Sequence, residues 1–180
     1  MYIFEGIRRS GKTFTIDIIK KNFSNLHFYK DFGVYKNNIN IDDYAISRDF
    51  VYSQIFKFLP LDYTNNLVID RQYFSSYVYG QLYRNKYDKQ YWTDHIIKIE
   101  KEYGSFIDNI KIIFIELDEN DFIKISNMNR KKDHLETNSI DISKKEYDLY
   151  MEVLKITKAK IFKIKAFKDE KYILDFFAKL

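Results

Sequence analysis

Gly6-Ile7-Arg8-Arg9-Ser10-Gly11-Lys12-Thr13 fits the spacing G-x-x-x-x-G-K-[ST] without a gap. Each piece of that pattern has a physical task. The glycines let the backbone curl closely enough for its N–H groups to point at one anion. An apolar run, Tyr2 to Phe4, leads in. Ile16, Ile19 and Phe23, spaced by three and four residues, lead out. The motif therefore falls at a strand-to-helix junction, where the helix offers its positive N-terminus to a phosphate. In such a loop Lys12 reaches the β- and γ-phosphates of ATP, and the Thr13 hydroxyl is a ligand for Mg²⁺. Gly6, Arg8, Arg9, Ser10, Gly11, Lys12, Thr13 and Phe14 are the expected ATP-binding residues. A glycine-bearing turn with an incidental lysine is the plain alternative.

A phosphate loop needs a second carboxylate beside it to hold the magnesium hydration shell. Leu67-Val68-Ile69-Asp70 is an apolar run that ends in one. It lies far enough downstream for a helix and another strand to intervene. Asp70 also suits a helix cap, and one side chain can do both. Thr13 and Asp70 are thus the expected metal residues.

Further strand-length runs are Leu26 to Tyr29, Ile112 to Glu116 and Ile161 to Ile164. Helix-period segments alternate with them: Phe74 to Leu82, Tyr91 to Tyr103, Asp121 to Asn129, Lys144 to Thr157 and Asp169 to Lys179. Strands alternating with helices predict an α/β fold, a three-layer sandwich with a five-stranded parallel sheet and helices on both faces. Pro60 is the single proline and no linker composition appears, so residues 1–180 read as one domain. Arg130 to Ile142 is a polar interruption between two helices, either a flap over the site or a solvated loop.

The chain has 180 residues, a net charge of +4, 16 Tyr, 16 Phe and no cysteine. That length buries a sizeable core. The absence of cysteine excludes disulfides and thiolate metal sites and fits a reducing cytoplasm. No run of 18 apolar residues exists, which argues against a membrane span, and Met1 to Glu5 is too short and too acidic for a secretory leader. The modest charge suits phosphate handling, and no basic stripe marks a nucleic-acid binder.

Asp70-Arg71-Gln72-Tyr73-Phe74-Ser75-Ser76-Tyr77-Val78-Tyr79-Gly80 resembles the Asp-Arg-Tyr-x-x-Ser-x-x-Ala-Tyr segment of the thymidylate kinases. Phe4-Glu5-Gly6 is similar to that family's entry into the phosphate loop. Lys30-Asp31-Phe32-Gly33 is similar to its Arg-Glu-Pro-Gly, and Tyr44-Ala45-Ile46-Ser47-Arg48 to its Phe-x-x-x-Arg. The likeness covers nearly the whole chain in order. It implies a nucleoside monophosphate kinase, a nucleotide acceptor such as dTMP, a lid at about residues 130–142, and a homodimer.

By that resemblance Lys30, Tyr44, Arg48, Arg71, Ser75, Ser76 and Tyr79 bind the acceptor, and Tyr44 stacks on its base. Spacing agrees. Tyr44 and Arg48 are four apart, as are Arg71, Ser75 and Tyr79, so each set shares a helix face. Core packing for Tyr44 and Tyr79, and a surface ion pair for Arg48, are the plainer readings. The catalytic set is Lys12, Asp70, Arg9 and the lid residue Arg130, with Lys131 and Lys132 as further lid cations and Asp133 and Glu136 positioning the lid. Two departures stand out. Arg8 occupies the place of a family acidic residue that approaches the acceptor's 3′-hydroxyl, so Arg8→Asp is expected to improve use of dTMP. Lys30 replaces a bidentate arginine. A deoxynucleoside kinase using Asp31 as base, and a nucleotide-binding protein without catalysis, are the alternative functions.

Overall fold

All five apolar runs become strands: β1 (Tyr2–Glu5), β2 (His27–Lys30), β3 (Leu67–Asp70), β4 (Lys111–Glu116) and β5 (Lys160–Lys165). The structure, a computed structural model, describes residues 1–30, 41–84, 86–128 and 139–180, with residues 30, 41 and 42 as backbone. The strands form one parallel sheet in the order β2-β3-β1-β4-β5. Ile3, Phe4, Leu67, Val68, Ile69 and Ile112 to Ile115 are buried, because strands covered on both faces must be apolar on both faces. At the edge, β5 instead carries exposed Lys160, Lys163 and Lys165, charges that discourage pairing with another chain.

The described helices are α1 (Lys12–Asn22), α2 (Ile41–Phe58), α3 (Leu61–Asn65), α4 (Tyr73–Tyr83), α5 (Lys89–Tyr103), α6 (Glu119–Asn127), α7 (Ile140–Ile156) and α8 (Glu170–Phe177). α1 packs against α8, while α2, α4, α5 and α7 pack against one another. These groups sandwich the sheet. Side-chain caps set several helix starts: Asp88, Asp118, Ser139 and Asp169 each accept a first-turn N–H. Ser139 corrects the expected lid. Its hydroxyl accepts from Ile142 N–H at 3.2 Å, so residues 140–142 are already the first turn of α7. Residues 130–138 lie outside the described residues. Among those described, no helix is long and apolar enough to cross a membrane.

The α4–α5 contact is the tightest point of the second layer. A Cβ at Gly80 would stand 2.1 Å from Cε2 of Trp92, itself fully buried. Gly80→Ala should therefore cost about 2–3 kcal/mol, because a rigid indole in a packed core cannot retreat. Thermal unfolding followed by circular dichroism should show Tm falling by about 4–12 °C.

Register brings the functional ends together. Phe4 stands opposite Asp70, and Lys30 opposite Asp70 on the other side, so β1, β3 and β2 end level. The connection from β1 leads to β2, whereas those from β3 and β4 lead towards the other edge. Loops diverging at the carboxyl ends of such strands open a crevice.

Candidate functional site

Local backbone first shapes the phosphate loop. Gly6 (φ 141°) and Gly11 (φ 90°) occupy positive-φ conformations, and a Cβ at Gly6 would press on Ile115 Cβ at 3.2 Å. Three non-glycine residues among those described share positive φ: Arg9 (64°), Arg71 (70°) and Phe167 (52°). They follow β1, β3 and β5, so the costly backbone conformations gather where the strands end. Inside the loop Lys12 is 5% exposed, and its Nζ donates to the carbonyls of Gly6 and Ile7, both at 2.7 Å. Ser10 Oγ donates to Ile7 O at 2.9 Å. Burial and the nearby Arg71 lower the Lys12 pKa to about 7, against the pull of Asp70, Glu146 and Glu5. Thr13 and Phe14 are exposed on the first turn of α1, and Arg9 is partly exposed.

Asp70 ends β3 beside this loop. Its Oδ1 is buried and has no hydrogen-bond partner among the described residues. A buried carboxylate oxygen left alone is costly and calls for a ligand. No three His, Cys, Asp or Glu residues among those described form a metal cluster by themselves. The buried Asp70 oxygen and the exposed Thr13 hydroxyl are oxygen donors of the kind a magnesium ion takes.

Next to it lies a buried polar network that sequence reasoning did not reach. Glu5 is fully buried. Its Oε1 accepts from Gln72 N–H at 2.8 Å, and its Oε2 from Ser75 Oγ at 2.7 Å and Tyr150 OH at 3.3 Å. Burial raises its pKa, against the lowering effect of Arg71. Arg71 donates through Nη1 to Tyr150 OH at 2.8 Å and Ser75 Oγ at 3.3 Å, and its guanidinium lies 5.2 Å from the centre of the Tyr79 ring. The predicted set Arg71, Ser75 and Tyr79 is thus assembled, with Glu5 and Tyr150 beneath it.

Arg48 reaches the same turn from α2. Its Nη2 donates to Ser76 Oγ at 2.7 Å and to Gln72 O at 3.5 Å. Tyr44 lies one helical turn earlier and is partly buried. Arg8 lies against α7: its backbone N–H donates to Glu146 Oε1 at 2.9 Å, and its Nε is 3.5 Å from Glu146 Oε2. Its Nη2 also bonds Tyr83 OH, while Tyr79 OH donates to Glu146 Oε1 at 3.3 Å. Glu146, 2% exposed, answers the charge reversal at Arg8 and was missed because it lies 138 residues away, inside the helix run Lys144 to Thr157. The Lys30 side chain, Asp31, Arg130, Lys131, Lys132, Asp133 and Glu136 lie outside the described residues.

A cavity of ≈ 290 Å³ opens at the ends of β4 and β5, lined among others by Glu116, Asp118, Lys124, Tyr147, Phe167 and Lys168. Phe167 also borders the phosphate loop, since a Cβ at Gly11 would meet its ring at 3.9 Å. No sequence signal joined these loops, which only the sheet brings side by side.

Neither a protein-family model nor a curated protein matches the chain. Solved structures do. Deoxyadenosine kinase from M. mycoides with bound dATP is 15% identical, with a TM-score of 0.63 over 99% of this chain and 98% of that one. The YorR protein from Bacillus subtilis, in complex with phosphorylated GDP, is 15% identical with a TM-score of 0.59 over 99% and 95%. Thymidylate kinase from Ehrlichia chaffeensis is 15% identical with a TM-score of 0.57 over 99% and 96%. With its five-stranded parallel sheet in the order 2-3-1-4-5 and its phosphate loop after β1, the chain has the P-loop nucleotide-kinase fold of these structures.

Proposed function

We propose that this chain is a magnesium-dependent nucleotide kinase that moves the γ-phosphoryl group of ATP to a deoxynucleoside monophosphate such as dTMP. One observation carries the reading: Lys12, the Asp70 oxygen that has no partner among the described residues, and two guanidinium groups, Arg48 and Arg71, converge on the ends of β1 and β3. Magnesium, when bound with ATP, neutralises phosphate charge and aligns the transferring group. Asp70 and Thr13 are the residues suited to hold it. Lys12 and the backbone N–H groups of the loop cradle the phosphates, and Arg9 and the lid cation Arg130 are proposed to share the charge developing in transfer. Arg71, Ser75 and Tyr79 form one wall of the acceptor pocket, and Tyr44, Arg48 and Ser76 the other. Two cations at one turn suit an acceptor that already carries a phosphate. Transfer is in line, with no covalent enzyme intermediate. The cavity beside Phe167 and Tyr147 offers aromatic surface for the donor base.

The test is ADP release from ATP–Mg²⁺ with dTMP, the other monophosphates, thymidine, deoxyadenosine or no acceptor. Strong stimulation by a monophosphate is the expected result. Stimulation by nucleosides alone would make the chain a deoxynucleoside kinase, as its likeness in fold to deoxyadenosine kinase also allows. ATP binding without stimulation would leave a nucleotide-binding protein.

The buried lysine adds a proton-linked prediction. With a pKa of about 7, Lys12 is largely neutral in the free protein at pH 8. Phosphate beside it favours the charged form, so ATP binding at pH 8 should take up about one proton, and affinity should weaken as pH rises above 7. Calorimetry in two buffers of different ionisation enthalpy reads the uptake directly. Lys12→Ala should remove it.

A further inference from the structure

Beside Arg48, between α2 and α5, lies a second buried charge system. Asp49 is fully buried on α2, and its Oδ1 accepts from Arg48 Nε at 3.1 Å and from Nη2 at 2.8 Å. Its Oδ2 stands 3.0 Å from His95 Nε2 on α5. His95 is 6% exposed, and the Trp92 ring stands edge-on to its imidazole at 5.7 Å. A carboxylate in this place is expensive to bury and persists through its partners, Arg48, His95 and the Ser76 hydroxyl. Burial opposes its charge, yet Arg48 and the His95 hydrogen bond leave its pKa below the usual carboxylate value. The same guanidinium that Asp49 holds donates to Ser76 Oγ at 2.7 Å. The line His95–Asp49–Arg48–Ser76 therefore connects α5, α2 and α4, and ends at the proposed acceptor wall.

We infer that Asp49 and His95 are positioning residues for acceptor binding: His95 fixes the Asp49 carboxylate, and Asp49 fixes the plane and reach of Arg48. The inference rests on the reading of Arg48 as an acceptor-binding residue. Arg48 has a long flexible stem with several rotamers, and without an anchor much of its binding contribution goes into ordering it. Asp49 supplies the anchor at two nitrogens, and His95 keeps the carboxylate from turning away. Neither residue touches the acceptor, so their loss is felt in acceptor affinity and not in the chemistry on ATP.

The experiment measures KM for dTMP, KM for ATP, kcat and Tm for the unaltered protein and for Arg48→Gln, Asp49→Asn, His95→Leu and His95→Gln. His95→Leu is expected to raise KM for dTMP about tenfold, the loss of one hydrogen bond to a charged group. KM for ATP and kcat should stay within about twofold, since the phosphate loop is untouched. His95→Gln, whose amide N–H can replace the imidazole N–H, should restore most of the affinity although it too removes the ring. If His95→Leu does not fold, Asp49→Asn and His95→Gln carry the comparison, the first raising KM and the second leaving it near the starting value. Absence of turnover with every monophosphate overturns the kinase reading and this inference together. Turnover with an unchanged KM in Arg48→Gln overturns the role of Arg48, and with it the inference. A raised KM in Arg48→Gln beside an unchanged one in His95→Leu and Asp49→Asn overturns the inference alone. So does a parallel loss in both KM values, kcat and Tm that His95→Gln fails to rescue.

Discussion

Lys12→Ala lowers acceptor-dependent ADP release by about a thousandfold or more, the range for losing a cation aimed at charge that develops during phosphoryl transfer. The expectation has two parts. The charge is lost where the γ-phosphate passes. The Gly6 and Ile7 carbonyls, each 2.7 Å from Nζ, also lose their donor at the moment the loop must hold its curl. Arg does not substitute, because the side chain occupies a space only 5% open to solvent and a planar fork is wider than an ammonium. The coupled ADP assay reads the effect, and circular dichroism checks that the variant stays folded. Turnover within about tenfold of the unaltered protein would remove Lys12 from the transfer step, since tenfold corresponds to only about 1.4 kcal/mol.

Lys12 is also the residue that sequence reads best, and the reason is physical. The phosphate loop is a local device, in which turn, helix start and ligand all lie within eight consecutive positions. Asp70 was legible for a similar reason, as the polar end of an apolar run. Ser75 and Tyr79 were legible because helical spacing puts them on one face of α4. Arg71 instead precedes that helix in a left-handed conformation and reaches them through its long side chain, which corrects the expected shared helix face. What stayed hidden joins distant positions. Arg8 and Glu146 are 138 residues apart, Glu5 and Tyr150 are 145 apart, and Asp49 and His95 are 46 apart. Such pairs exist only once the sheet order β2-β3-β1-β4-β5 and the helix packing are known. The start of α7 was misplaced for another reason: its first turn is set by the Ser139 cap, whereas the apolar period begins only further along. Phe167 lies between the strand run Ile161 to Ile164 and the helix run from Asp169, and its left-handed conformation and contact with Gly11 are properties of the assembled crevice.

Glu146 changes the expected outcome at Arg8. Read against the thymidylate kinase pattern alone, Arg8→Asp restores an acid and favours dTMP. The structure puts a second carboxylate there already, buried and bonded both to the Arg8 backbone and to its side chain. Arg8→Asp would set two carboxylates against each other and strip Tyr83 of its guanidinium partner. The single variant should lose about 2–3 kcal/mol of stability, as for breaking a largely buried charge pair, so Tm should fall by about 4–12 °C. Its kcat/KM for dTMP should fall as well, because Glu146 also takes the Tyr79 hydroxyl, and its displacement moves the acceptor wall. Arg8→Asp combined with Glu146→Gln should recover most of both losses. The amide keeps an oxygen for the Arg8 backbone N–H and removes the repulsion. Coupling of that size between the two sites, measured as a double-mutant cycle in Tm and in kcat/KM, would identify Glu146 as the partner that offsets the reversed charge of the phosphate loop. Arg8→Asp alone raising kcat/KM for dTMP at unchanged Tm would show instead that the two side chains do not oppose each other, and that the acceptor wall stands without them.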